Sequence, residues 1–339
     1  MTEYKQIWSE LDQDKRIKEN KELLARLVTD RSEIKIFFAT EGYLGHRYIL
    51  IKLPNKWSND IVQNLPIWKG ISIEQASMNI LDHNISWYLI IKNNFEEIKN
   101  IFEAFIGNVC DNLLQADEEV KILEIVEQTL SHWKSFFEEY GFTGLSDSAQ
   151  RGLYGELWFL RCLIKESPLS TVKLVERWKG PNRKTHDFSN KSIAVEIKTS
   201  TAKKHHKFQV SGEKQLDDRG LKKLYLVFLS FAEMESTGES LNGIIEWLIV
   251  SLDAFPAAQN LFKEKLFQVG YSIAHSSLYT TGFINREVRT FLVQEGFPRL
   301  LSENLPDGLG DLTYSVAVAS CRDYEIPLNL AISDISGDD

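Results

Sequence analysis

Between Ala149 and Ala232 the chain carries successive patterns that only a sheet with helices packed on it can bury together. The stretch "AQRGLYGELWFLRCLIK" (149–165) reads as a helix with Leu153, Leu157, Leu160 and Ile164 on one stripe. In "IAVEIKT" (193–199) the residues alternate, so Val195 and Ile197 face one way while Glu196 and Lys198 face the other. Further strands are expected near 172–178, 185–189 and 207–211, then a short helical turn at 213–219 and a strand at 222–232. Helix, several strands, short helix and strand in that order suit a small mixed α/β core.

The flanking regions read differently. Residues 3–28 suggest a helix, followed by strands at 33–40, 47–53, 71–80 and 86–92 and by helices at 94–116 and 118–139. The last of these places Leu123, Val126, Leu130, Trp133 and Phe137 on one face. The break "YGFTGLSDS" (140–148) marks a domain boundary. After the loop "STGESLNG" (236–243), helices are expected at 244–254, 257–265 and 285–295 and strands near 267–274 and 312–321. The division is therefore an N-terminal strand-rich α+β domain (1–145) of unassigned role, a core (146–235), and a mixed α/β extension (236–339) packing on it. A length of 339 residues accommodates such a division. No run of about 18 apolar residues is present, and the polar start "MTEYKQIWSELDQDK" lacks the order of a secretion signal. Cys110, Cys162 and Cys321 lie far apart, without zinc or disulfide spacing. A cytoplasmic protein without a membrane partner is the expectation.

The net charge of -9 argues against a protein coated all over for nucleic acid, but the charge is unevenly placed. Residues 165–223 carry a net +8 and the rest a net -17. A basic region on an acidic chain is the footprint of a polyanion site; a chance fluctuation on a solvated face is the alternative.

Within that basic region lies "THDFSNKSIAVEIKTS" (185–200). A Glu-x-Lys tripeptide by itself says little, because it occurs six times in this chain. Four copies sit in helical patterns, where residues two apart do not share a face. Glu33 and Lys35 lie in a strand pattern, with Asp30 directly upstream and no partner strand between. Only Glu196 and Lys198 emerge on one face of a strand that a polar turn, "SNKS", can fold back on Asp187. The chemistry these groups suggest is phosphodiester cleavage. Mg²⁺ prefers oxygen ligands and needs only one or two protein carboxylates. Asp187 and Glu196 would supply these, with the backbone carbonyl of Ile197 as a third oxygen. Lys198 would orient water and offset charge developing on the phosphate. Two close carboxylates repel each other unless a cation joins them.

Glu156 lies roughly 70° from the centre of its helix's apolar stripe. A carboxylate at the edge of a buried face needs a partner; a place at the metal, direct or outer-sphere, and an ordinary ion pair both answer that need. Gly152 and Gly155 each cost the helix roughly 1 kcal/mol relative to alanine, a cost that often reflects close approach of another group.

Taken together, "GLYGELWFL", "WKGPNRKTHDF", "IAVEIKTS" and "FQVSGEKQL" resemble the PD-(D/E)XK nuclease superfamily. The nearest likeness is to a bacterial group catalogued only as PD-(D/E)XK family members and associated with restriction and phage-defence genes. "LFQVGYSIAHSSLY" and "EGFPRLLSENLPDGLGDLTYSV" look similar to the same group. The resemblance implies an α/β (α+β) chain with a restriction-endonuclease-like αβββαβ core. It implies Asp187, Glu196 and Lys198 as the catalytic set, Glu156 as auxiliary acid, and Gln215 as a helper at the phosphate or water. His186 stands where the superfamily's name has proline.

Lys203, Lys204, His206 and Lys207 follow the active strand and are placed to touch phosphates beside the scissile bond; a solvated loop is the plainer reading. His205 and His206 are adjacent on an extended chain and point opposite ways, which argues against zinc. No Walker A loop, serine elbow or HExxH occurs. The expected function is a Mg²⁺-dependent nuclease, with Mn²⁺ as a substitute, acting on DNA rather than RNA in a restriction or phage-defence setting. A homodimer or other defence-system subunits are the expected protein partners. The alternative is a nucleic-acid-binding or scaffolding subunit that keeps the fold without cleaving.

Overall fold

The structure is a computed structural model that describes residues 2–14, 23–28, 34–41, 46–80, 85–115, 122–141, 144–166, 169–182, 184–235, 237–306 and 312–337. The chain divides into two compact units, Met1–Thr143 with Ile273–His275, and Gly144–Ser272 with Ser276–Asp339.

The first unit opens with helix α1 (Thr2–Gln13). Its antiparallel sheet contains β1 (Leu23–Leu27), β2 (Ile36–Glu41), β3 (His46–Leu53), β4 (Ile71–Met78) and β5 (Ser86–Asn93), in the order β1-β2-β3-β5-β4. The short helix α2 (Asn59–Gln63) leads into β4. The expected helix over 3–28 is thus corrected: it ends at Gln13, residues 15–22 lie outside the described ones, and 23–27 form a strand. "LLARL" favours a helix locally, but a ladder running from Leu23↔Glu41 to Leu27↔Phe37 supplies its backbone partners instead. Helices α3 (Lys99–Leu114) and α4 (Ile122–Tyr140) follow. Val126, Leu130, Trp133 and Phe137 of the predicted stripe are buried in α4.

The second unit begins with α5 (Asp147–Glu166) and α6 (Thr171–Arg177). The hairpin of β6 (Phe188–Ser189) and β7 (Ile193–Ser200) comes next, then β8 (Lys207–Ser211) and β9 (Lys223–Glu235). After β10 (Glu239–Ser240) come α7 (Leu241–Ser251), α8 (Pro256–Gln268), β11 (Thr281–Val293), β12 (Thr313–Ala317), β13 (Glu325–Ile326) and α9 (Leu328–Ser336). The main sheet has the order β10-β11-β9-β7-β6, with β13 on β11. β7 and β9 run parallel, and the other pairs are antiparallel. One face, carrying Val195, Ile197 and Val227, packs with Leu153, Leu157 and Leu160 of α5. Ala194, Leu224, Leu226 and Phe228 on the other face meet Phe208, Val210 and Val316 of the separate β8–β12 ribbon.

Three local readings are corrected. Residues 172–178 lie mainly in the short helix α6, because Leu174 and Val175 reach the core from one turn. Residues 285–295 belong largely to β11. Its register shifts between Asn285 and Glu287, and that bulge interrupts the two-residue alternation by which a strand is read. Residues 267–274, expected as a strand, are instead divided between the end of α8 and a 3₁₀ turn over Ile273–Leu278. Among the described residues no helix is long and apolar enough to cross a membrane, and Cys110, Cys162 and Cys321 are free thiols.

Candidate active site

The hairpin forms because Asn190 closes its turn. The Asn190 side-chain oxygen accepts from the backbone N–H groups of Ser192 and Ile193 at 3.0 and 2.8 Å, and its own N–H reaches the Ile193 carbonyl at 3.0 Å. Pairing Phe188↔Val195 and Ser189↔Ala194 fixes the register. One step outward, Asp187 falls opposite Glu196. The carboxylate of Asp187 accepts from the Ile197 N–H at 2.7 Å. The Ile197 amide is therefore tied to Asp187.

On β7, Glu196 and Lys198 emerge together as their alternation requires. The Lys198 ammonium lies 2.9 Å from Glu196 Oε1 and donates to Gln215 Oε1 at 2.8 Å. That same Gln215 oxygen accepts from the Ser211 N–H at 2.9 Å. Gln215 thus fastens the lysine to the β8–β12 ribbon. Glu196 is only 3 % exposed, and its Oε2 is buried without a hydrogen-bond partner.

Glu156 comes from α5, on the opposite face of β7. Gly155 makes that approach possible: a Cβ there would lie 2.5 Å from Thr199 Cγ2 and 3.4 Å from Ile197 Cγ2. At Gly152 a Cβ would meet nothing within 4 Å, so the two glycines differ in purpose. Glu156 Oε2 accepts from the indole N–H of Trp178 at 2.7 Å.

The three acids share one electrostatic state. Burial, and then the Asp187 charge, push the Glu196 carboxyl from 4.5 to about 8. Burial raises Asp187 from 3.8 to about 6 against the opposing pull of the Ile197 N–H and Lys198. Glu156 is driven well above its ordinary value by burial first and Asp187 second. Asp187 acts on both of the others from the sheet edge.

The chemistry of this set fits a hard divalent cation. The buried Glu196 carboxyl and its half-buried neighbour Asp187 resist ionising together, and one Glu196 oxygen lacks a donor. A cation bound through one or two carboxylates and waters relieves both conditions. Among the described residues no group of three or more His, Cys, Asp or Glu side chains converges closely enough to hold a metal ion.

The remaining sequence candidates separate. Lys203, Lys204 and Lys207 are exposed after β7 and at the start of β8. His206 turns inward: its Nε2 lies 3.6 Å from Glu287 Oε2, and its ring meets Phe228 edge-on at 5.6 Å. His205 is exposed with φ 55. Sequence reasoning missed Trp178. Its only signal was the position of "WKG" upstream of Asp187, with Trp178 the last residue of a segment read as a strand.

A family model described as "Putative PD-(D/E)XK family member" matches residues 4–319. No curated protein and no solved structure matches.

Proposed function

The chain belongs to a PD-(D/E)XK family, a superfamily usually composed of nucleases, and from that premise we propose that it is a Mg²⁺-dependent nuclease acting on DNA. In this reading Asp187, Glu196 and the Ile197 carbonyl hold the cation, with Glu156 at its periphery. The observation that carries the reading is the buried, unpartnered Oε2 of Glu196 beside the Asp187 carboxylate. A bound divalent cation supplies polarisation of the phosphate and a more acidic water.

The protein's own groups do the rest. Gln215 and Glu196 hold the Lys198 ammonium in one direction, so its charge is pre-aimed at the phosphate oxygens as they gain charge. The Ile197 N–H fixes Asp187 without recruiting a second basic side chain. Lys203, Lys204 and Lys207 offer exposed cations to flanking phosphates. The net +8 of residues 165–223 supports a polyanionic substrate. A role in a restriction or phage-defence system accompanies this reading, and either a second copy or another subunit of such a system would allow both strands to be cut.

The test is incubation of labelled duplex DNA, single-stranded DNA and RNA with Mg²⁺, Mn²⁺ or EDTA. DNA cut in either metal and intact in EDTA is the expected result. DNA bound but uncut in every metal would favour the non-cleaving subunit instead, and equal cutting in EDTA would remove the metal from the account.

A further inference from the structure

We infer that Trp178 and Gly180 are positioning residues that aim the Glu156 carboxylate at the metal site, an inference that rests on the nuclease reading above. Helix α5 brings Glu156 to the sheet on the face opposite Glu196, so a flexible glutamate there needs something to point it. Trp178 supplies a directed donor: its indole N–H meets Glu156 Oε2 at 2.7 Å, and the side chain is fully buried. A buried indole N–H donates in one direction only.

Gly180 lies beside the same donor, since a Cβ there would be 3.3 Å from the Trp178 indole nitrogen. A Cβ on Gly180 would fall 2.2 Å from Glu156 Oε2 and 3.1 Å from its Cδ. The space occupied by the carboxylate is therefore space that any other residue at position 180 would take. Gly180 has no positive φ, so its backbone does not require glycine and the close approach does.

The same three-residue segment also grips the second acid. The N–H groups of Lys179 and Gly180 both donate to the Asp187 carbonyl, at 2.6 and 3.1 Å. Trp178 forms an isolated bridge with Phe188, and its carbonyl accepts from the ammonium of Lys265, a buried residue on α8. The segment 178–180 is thus anchored from behind by α8, and in front it sets Glu156 and Asp187 relative to each other. Partners of metal-site carboxylates act this way generally, and losing one typically costs 10–100-fold in affinity or activity.

The experiment is a calorimetric titration of the full chain with Mn²⁺, comparing wild type, Trp178→Phe, Gly180→Ala and Glu156→Gln, with thermal unfolding followed in parallel. Trp178→Phe removes the donor and keeps most of the ring; Gly180→Ala crowds the carboxylate from a half-buried turn and guards against a Trp178 variant that fails to fold. Each is expected to weaken Mn²⁺ binding about 10-fold. Neither should weaken it further when Glu156→Gln is already present. A purely structural role for the segment would lower the unfolding temperature and leave Mn²⁺ affinity at the wild-type value. That result in a folded Trp178→Phe or Gly180→Ala variant overturns the inference while the metal site stands. Failure of the wild type itself to bind Mn²⁺ overturns both this inference and the metal-dependent reading beneath it.

Discussion

Replacing Glu196 by Gln should make the metal-free protein more stable at alkaline pH, although it removes a group proposed for catalysis. In the fold this carboxyl is pushed from 4.5 to about 8, chiefly by burial and then by Asp187. The folded chain therefore holds the proton more tightly than the unfolded chain. The resulting stability is complete below about pH 4.5 and is lost as pH rises through about 8. Between pH 5 and 8 the loss spans about 2.5 decades at about 1.4 kcal/mol each, or roughly 3–4 kcal/mol. Asp187, raised to about 6, adds about 1 kcal/mol over the same interval. The assay is hydrogen exchange of the β7 amides in EDTA at the two pH values, corrected for intrinsic rates and converted to opening free energies. From pH 5 to 8 Glu196→Gln should lose about 3–4 kcal/mol less than wild type, while the raised Asp187 and Glu156 carboxyls leave a pH dependence in both proteins. Saturating Mg²⁺ should flatten the wild-type profile by binding the ionised site. A wild type equally protected at both pH values in EDTA, with an identical Glu196→Gln profile, would refute the electrostatic reasoning.

The two helix glycines should respond oppositely to alanine. Gly155→Ala drives a methyl group into Thr199 and Ile197 and should cost about 1–3 kcal/mol, whereas Gly152→Ala enters open space and should add up to about 1 kcal/mol; urea unfolding measures both. Gln215→Leu removes the acceptor shared by Lys198 and the Ser211 N–H. It should slow single-turnover DNA cleavage about 10-fold while leaving Mn²⁺ affinity unchanged. An equal loss in both would make Gln215 part of the metal set rather than a support for the lysine.

Much of this site was legible in the sequence because its geometry is local. The alternation of "IAVEIKT" put Glu196 and Lys198 on one face, and a four-residue polar turn was enough to bring Asp187 opposite. The helix stripe placed Glu156 correctly at the edge of its buried face. What escaped was set by contacts distant in sequence. Whether 172–178 forms a strand or a helix depends on how Leu174 and Val175 meet the core. The β11 bulge at Asn285–Glu287 depends on pairing with β9. Trp178 became visible only once its indole could be followed to a carboxylate 22 residues away. His206 carried the same basic signal as its lysine neighbours, yet the ring of Phe228 and the Glu287 carboxylate draw it inward.

The central claim is that phosphodiester cleavage belongs to the cluster of Asp187, Glu196 and Lys198. Its most direct test is relaxation or linearisation of supercoiled plasmid in Mg²⁺ by wild type and by Lys198→Ala and Asp187→Ala proteins shown to be folded. Cleavage by wild type that EDTA stops and both substitutions abolish is the predicted result. Cleavage by either variant at the wild-type rate would contradict it and move the chemistry elsewhere in the chain.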